Sequence, residues 1–406
     1  MVKSLIHERS GLNYSANIEV RSKWALDQRI TAPILSVPIT FNEIINDKIT
    51  EVKTLYHFLP DQLNIASEVQ PRMLKRGIYE VIVYDSKLEL SGHFHMPSDF
   101  TSNDFDEIHW DKAFLTTGVS DLRGIQSNNH LIWNGDTISS VPGSRNPTIV
   151  SGLTYSIDGL SEENFDEIPF NLEIDLQGSE KLTFVPTGKI TKSSMISDWD
   201  SPSFSGNFLP DNREVTKEGF KADWAILQIN RNYPQHWQGN KYARELESSA
   251  FGVDFIKPSD SYQKSIRSVK YALMNISLTF LIFFLVEIFT KTKIHPFQYV
   301  IIGLSILLFY ILLVSLSEHI SFPKSYLISA TSVVSMIYLY SLSVFKSLKF
   351  SIYLLVLSVL NYGFIYITLQ MTDYALLLGS VCMTGILAAV MYGTRNIDWY
   401  QLQRSQ

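Results

Sequence analysis

The chain has 406 residues, 46% of them apolar and 18% charged, and a formal net charge of −6. The charge is unevenly divided: residues 1–267 hold 26 basic and 36 acidic residues, residues 268–406 hold eight basic and four acidic. An acidic polar part joined to an apolar, weakly basic one excludes a wholly water-soluble protein and a nucleic-acid partner held by a basic surface, and a lone Cys382 inside an apolar run excludes a disulfide-stapled domain.

In chain order, residues 1–20 (MVKSLIHERSGLNYSANIEV) contain no apolar run that could serve as a secretion signal or anchor. A short helix is expected over Ser22–Ile30. Short apolar or alternating segments with β-branched and aromatic residues then read as strands. They are Pro33–Phe41, Lys53–Leu59, Gly77–Tyr84, Lys87–His95, Lys112–Val119, Ile168–Leu176, Lys181–Pro186 and Phe220–Ile229. Asn134-Gly135-Asp136 and Val141-Pro142-Gly143-Ser144 read as turns. Residues 1–260 are therefore expected to form a β-rich domain, an antiparallel sandwich or barrel-like body large enough to need no metal or disulfide. Asp260 with Gln263 resembles a capping box. A helix starting there would run unbroken to Thr290, and the part not needed to cross the membrane would project as a stalk.

Residues 261–406 read as a bundle of five transmembrane helices. About 20 mostly apolar residues span about 30 Å of hydrocarbon, and five runs of that length follow one another. They are about 269–290, 296–317, 326–345, 350–370 and 374–393. Lys291, Lys293, Lys346, Lys349, Arg395 and Arg404 fall on one side of these spans and only Lys324 on the other. The positive-inside rule places the six in the cytoplasm, which puts residues 1–267 outside, in the periplasm of a Gram-negative cell. Export of so large a domain calls for a preceding span. Either such a span precedes residue 1, or the first span inserts against expectation.

No G-x-S-x-G, H-E-x-x-H, Walker A or G-x-G-x-x-G motif occurs. His93 and His95 would share a strand face, but no spacing completes a metal site, and no cofactor is expected. Glu287 lies four residues before Lys291. It is either an interfacial i,i+4 pair or a carboxylate facing the bundle interior. His295-Pro296 opens the second span with ordinary helix-start chemistry, and Glu318-His319 closes it. Asn275, Asn361 and Gln370 read as interhelical hydrogen-bond glue, and the serines of the third span as a close-packing face. Trp399 and Tyr400 suit an interfacial belt, with Arg395 and Asp398 able to pair at i,i+3 if the helix continues.

Several strings recur together in order: Ser120–Ile125 (SDLRGI), Pro202–Pro210 (PSFSGNFLP), Gly219–Trp224, Lys270-Tyr271-Ala272, His295–Tyr299, Ser315–His319, Asp373–Ser380 and Thr394–Tyr400. In order and spacing they resemble the CreD family of bacterial inner-membrane, cell-envelope integrity proteins, over nearly the whole chain. The resemblance implies a large periplasmic domain between a first transmembrane helix and a later cluster. It also implies expression under a two-component regulator and effects on colicin tolerance and envelope stress, with no established reaction. The residues singled out are Arg123, Pro202, Phe204, Gly206, Pro210, Glu287, His295, Glu318, His319, Arg395 and Asp398.

Three functions are open to such a chain. The expected one is non-enzymatic: a membrane-anchored protein whose periplasmic domain binds a partner in the envelope or membrane. The second is transport or lipid handling along Glu287, Asn275, Asn361 and Tyr362. The third is a hydrolase with a dispersed site, for which no residue is selected.

Overall fold

A computed structural model describes residues 2–45, 48–77, 79–127, 129–256, 261–290, 294–371 and 374–395. The strands are β1 (Gln28–Ile45), β2 (Lys48–Phe58), β3 (Gln62–Arg76), β4 (Tyr79–Phe94), β5 (Glu107–Ile108), β6 (Phe114–Val119), β7 (His130–Trp133), β8 (Asp136–Ser139), β9 (Val141–Pro142), β10 (Gly152–Ser156), β11 (Ile168–Ser179), β12 (Lys181–Val185), β13 (Ile190–Ser197), β14 (Pro202–Gly206), β15 (Asn212–Thr216), β16 (Gly219–Leu227), β17 (His236–Gln238) and β18 (Phe251–Phe255). The helices are α1 (Val2–Lys23), α2 (Ala243–Ser248), α3 (Ser261–Lys270), α4 (Ala272–Thr290), α5 (Pro296–Ser317), α6 (Phe322–Phe345), α7 (Leu348–Gln370) and α8 (Ala375–Thr394).

The chain divides into two compact units, residues 13–258 and residues 1–12 with 259–406. The first is a sandwich of two sheets. One, ten-stranded among the described residues, runs β14-β18-β12-β1-β6-β10-β9, with β2, β5 and β17 attached at β1 and β2. The other runs β15-β16-β13-β3-β4-β11-β7-β8. Strand alternation builds the core. Leu63, Ile65 and Val69 of β3 point inward while Asn64, Ala66 and Glu68 face out. They meet Leu35 and Val37 of β1, Phe184 of β12 and Phe251 of β18 from the other sheet in one apolar cluster. Asn134 (φ 50°) and Gly135 (φ 91°) close the β7–β8 hairpin, a two-residue loop of the kind that needs positive φ.

Three expectations are corrected in this unit. The sheets are mixed: β1 pairs parallel with β12, and β3 parallel with β13. Each partner returns only after several intervening strands, as a parallel pairing requires. Ser22–Ile30 is not a helix: α1 ends at Lys23, and Gln28 already begins β1. Gly77–Tyr84 and Lys87–His95 belong largely to the single strand β4, because Asp85 and Ser86 are absorbed into the sheet. Ser86 Oγ donates to Leu176 O at 2.8 Å, and Asp85 pairs with Arg72 at 3.1 Å. The first five residues of the Pro202–Pro210 string form β14 against β18.

In the helical unit α4, α5, α6, α7 and α8 coincide with the five expected spans and have the length and hydropathy to cross a membrane. The junction differs from expectation. The helix is interrupted at Tyr271, and α3 is no free stalk. It packs on α5 through Ile266 and Val269, with Ser265 and Ser268 fully buried. Asp260 of the expected capping box lies outside the described residues, as do Lys291, Lys293, Asp373, Asp398, Trp399, Tyr400 and Arg404. Residues 1–12, expected in the β-rich domain, belong to the helical unit, because Ile6 is buried in its core with Phe283, Phe309 and Leu354.

Candidate functional site

In the sandwich, Arg123 is a fastening. Asp121 ends its strand-to-turn segment with an oxygen accepting from the Arg123 main-chain N–H, and the Arg123 guanidinium grips the same carboxylate through Nε (2.9 Å) and Nη2 (2.7 Å). Asp121 also accepts from the Leu26 N–H at 2.9 Å, and Arg123 Nη1 donates to Ser22 O. The guanidinium holds the Asp121 carboxyl below the usual carboxylate range. The SDLRGI string thus caps the C-terminal end of α1, where a cation suits the exposed carbonyls. Arg21 adds a second tie, to Ser179 (3.0 Å), Asp27 (2.9 Å) and Glu180 (2.9 Å).

The Pro202–Pro210 string is also a packing element. Phe204 stands edge-on to Phe220 and Trp224 at 5.8 and 6.1 Å, and Phe208 O accepts from Trp224 Nε1 at 3.3 Å. Gly206 adopts φ +97°, and a Cβ there would sit 2.2 Å from Ala250 O; only glycine fits. Pro202 and Pro210 are half-buried at the two ends of the segment.

The outer face of the eight-stranded sheet carries a shallow open groove. One stretch, of about 480 Å³, is lined by Asn64 and Ala66 of β3, Glu89 of β4, Lys192 and Ser194 of β13 and Asp223 of β16, with Asp211 beside them. A second, of about 500 Å³, shares Ala66, Glu89 and Ser194 and continues past Glu68, Lys87, Glu173 and Asp175. Acids outnumber bases along it. Glu89 and Glu173 lie directly opposite in register, a like-charge pairing that a sheet ordinarily avoids. This groove escaped the sequence because its residues come from strands far apart in the chain.

Two polar constellations resemble catalytic arrangements. Ser36 Oγ lies 2.9 Å from His57 Nδ1, and Asn146 Nδ2 donates to both at 3.3 Å. All three are buried, with His57 against the Trp237 ring, and burial pushes His57 down to about 4, so the ring is a neutral core group. Tyr56 Oη donates to His236 Nδ1 at 2.6 Å, and His236 Nε2 donates to Asp99 at 3.1 Å. Burial, with the nearby Asp99 and Asp104 carboxylates, pushes Tyr56 up to about 12. This chain pins β17 to the edge of β2 beside Phe58 and Phe100. His93 and His95 face separate carboxylates, Asp61 at 4.0 Å and Asp166 at 2.7 Å. Among the described residues no three metal-ligating side chains converge.

In the helical unit Glu287 is a clasp. Tyr299 Oη donates to Oε2 at 2.7 Å and the Ile294 N–H donates to Oε1 at 3.0 Å. The carboxylate thus ties α4 to α5 and to the segment entering α5. His295 caps α5: its Nδ1 accepts from Phe297 N at 3.2 Å, while Gln298 Oε1 accepts from His295 N at 2.9 Å. Glu318 follows the last turn of α5 with its side chain mostly buried, 3.6 Å from Arg9 of α1. His319 is exposed. Arg395 lies over the Tyr392 ring at 4.1 Å, and Asp398 lies outside the described residues. The structure therefore brings Glu287 close to His295, and leaves Glu318 and His319 at the other end of α5.

Deeper in the bundle, Asn361 Nδ2 donates to Asn275 Oδ1 at 2.7 Å, and Asn275 Nδ2 to Tyr310 Oη at 3.3 Å. Thr279 lies 3.4 Å from Asn361, and Tyr326 Oη donates to Tyr362 O at 2.7 Å. This node joins α4, α5, α6 and α7 through buried polar side chains. Such bonds specify helix packing where lipid supplies no hydrophobic drive.

The family model described as "Inner membrane protein CreD" matches residues 1–400. The chain is also 32% identical over 414 residues to the inner membrane protein CreD of Escherichia coli (strain K12), covering 98% of this chain and 89% of that relative. With that match laid over the β-rich unit and the five apolar helices, the chain belongs to the CreD family of inner membrane proteins.

Proposed function

We propose that the chain is a non-enzymatic envelope-integrity protein. Its helical unit anchors it in the inner membrane, and its sandwich, on the periplasmic side, binds an envelope component or a membrane partner. The groove on the outer face of the eight-stranded sheet carries this reading. Its unbalanced carboxylates, with Glu89 against Glu173, suit a partner that presents basic groups. The fastenings at Arg123 and the Pro202–Pro210 segment are what a rigid recognition module needs. The sealed Ser36–His57–Asn146 triangle offers a substrate no approach.

The test is a charge reversal on a surface that does not contribute to the core. Glu89→Lys with Asp223→Lys in the full chain is expected to leave the protein in the membrane at normal level and to abolish its effect on envelope stress and colicin tolerance. Full phenotype with both substitutions would sink the groove reading. Orientation is checked separately. A cysteine at Val150, which is 91% exposed, in a chain carrying Cys382→Ser, should react with a membrane-impermeant maleimide in intact spheroplasts. Labelling only after lysis would reverse the proposed topology.

The second reading, transport or lipid handling, is favoured by one observation: Asn361 Oδ1 is buried in the bundle interior with no hydrogen-bond partner among the described residues. Under it, Asn361→Leu abolishes function while the groove substitutions do not.

A further inference from the structure

We propose that the β1–β2 hairpin ends in an arm that pairs with the same arm of a second copy of this chain, edge to edge, across Ile44. β1 and β2 pair from Leu35↔Phe58 to Ile45↔Lys48. On its other side β1 meets β6 from Ile30 to Ser36 and β5 only at Ile39 and Thr40. Residues 41–45 therefore pair with β2 alone among the described residues, and extend about 17 Å at about 3.4 Å per residue.

The hydrogen-bond parity of this edge is fixed by its neighbour. Pro38 O accepts from His109 N at 2.9 Å and Thr40 O from Asp106 N at 3.0 Å. Main-chain groups alternate sides along a strand, so those of Asn42 and Ile44 also face outward, beyond the end of β5. The same parity makes Ile44↔Ile49 a non-hydrogen-bonded pair, in which side chains stand closest. Both isoleucines are bare, at 74% and 76% exposure. An open strand edge bearing a bare apolar pair is a template for another strand. A lipid surface would cover the isoleucines but leave the amides and carbonyls unmet.

A second copy supplies both halves of what is missing. With Ile44 opposite Ile44 of the second copy in an antiparallel pair, the two residues exchange both main-chain bonds. Their side chains then lie beside the two Ile49 side chains in a row of four. The alternative register, centred on Glu43, would set the two Glu43 carboxylates directly opposite and is disfavoured. So short an arm buries less than the roughly 1,200 Å² of a stable soluble dimer. Pairing is therefore expected in the plane of the membrane, where anchoring raises the effective concentration.

The experiment uses the full chain in membrane vesicles with Cys382→Ser, so that Ile44→Cys is the sole thiol. A hydrogen-bonded antiparallel pair sets Cα atoms about 5.5 Å apart, within disulfide reach. Copper-phenanthroline oxidation should give a disulfide dimer several-fold above that of Val150→Cys, which reports random collision, and adding Ile49→Lys should return it to that background. A doubly substituted chain, Ile44→Cys with Ile49→Cys, should form an internal bridge on peptide mapping, which shows that the arm is folded and its thiols react. Ile44→Cys dimer no higher than the Val150→Cys background, with that internal bridge present, overturns the proposal. So does an adduct with a different protein in place of the dimer.

Discussion

Both units bury an apolar core, but they turn different side chains to their surroundings. The sandwich buries large rings such as Phe58, Phe94, Phe184 and Phe251 and turns charge outward. The helical unit turns Leu273, Leu304, Leu339 and Leu360 outward and buries Asn275, Thr279, Ser325, Ser329, Ser351 and Asn361. Water drives the first arrangement, because every buried ring removes apolar area from solvent. Lipid gives no such drive. The bundle gains from close small-residue contacts and from hydrogen bonds with no solvent competitor. The same side chain is therefore expected to contribute differently in each unit.

A matched pair of ring deletions tests this most strongly. Phe94 is fully buried between Trp133 and Phe170 at 5.5 and 5.4 Å. Phe309 is fully buried among Tyr310, Tyr326 and Tyr362 at 4.9 to 5.4 Å. Phe94→Ala should cost about 3–5 kcal/mol, transfer and cavity together. Phe309→Ala should cost only the packing share, about 1–3 kcal/mol. Six of the seven tryptophans, Trp24, Trp110, Trp133, Trp199, Trp224 and Trp237, lie in residues 13–258, so in a chain carrying Trp399→Phe tryptophan fluorescence follows the sandwich, and helical circular dichroism in detergent follows the bundle. Equal losses would break the comparison.

The next effect belongs to the sandwich alone. Burial lowers His57 from its ordinary 6.5 to about 4, so below pH 6.5 the unfolded chain takes up a proton that the folded one refuses. Stability is therefore full above pH 6.5 and falls as pH drops towards 4, by about 3 kcal/mol in all. Chemical denaturation read by fluorescence at pH 7.5 and pH 4.5 measures it. His57→Gln should flatten that slope, and an unchanged slope would remove His57 as its source.

What could be read in advance follows the same division. The five spans were legible to within a few residues, because lipid tolerates no polar face on a helix exposed to it. The sandwich showed as strand-like segments but not in its register or its parallel pairings, which depend on partners far along the chain. β3 gives no clear strand signal because Ala66, Ser67 and Pro71 dilute its alternation. α1 gave no signal: its sequence carries Gly11, Asn13 and Asn17 and little apolar periodicity. It is held instead by what it meets, Ile6 in the helical core at one end and the Arg21 and Arg123 ties at the other. Of the candidate residues, Arg123, Gly206 and His295 were found as positions, but their roles as fastening, close approach and cap needed the neighbours. The acidic groove was visible in no single segment.

A smaller effect is expected at the polar node. Asn361→Leu removes the bond to Asn275 while roughly conserving volume. Interhelical hydrogen bonds of this kind average about 0.6 kcal/mol and reach about 1.7. The bundle should lose that much in a steric-trap or detergent-titration measurement, with the sandwich fluorescence transition unmoved. A loss of several kcal/mol would mean that the node, rather than small-residue packing, holds the helices together.

The smallest effect is expected at Glu287, and it separates anchor from pathway. As a clasp, Glu287 needs two acceptor oxygens, one for Ile294 N–H and one for Tyr299 Oη. Glu287→Gln keeps one acceptor and turns the other position into a donor, which the Tyr299 hydroxyl can accept by rotating. The loss should be at most about 1 kcal/mol, and Tyr299→Phe, which removes the same contact from the other side, should match it. A carboxylate that carries protons or cations through the bundle behaves otherwise. Glu287→Gln would then abolish function at unchanged stability, while Tyr299→Phe, which leaves the charge in place, would not. Measuring bundle stability and envelope phenotype for both variants decides between a helical unit that only holds the sandwich in place and one with a role of its own.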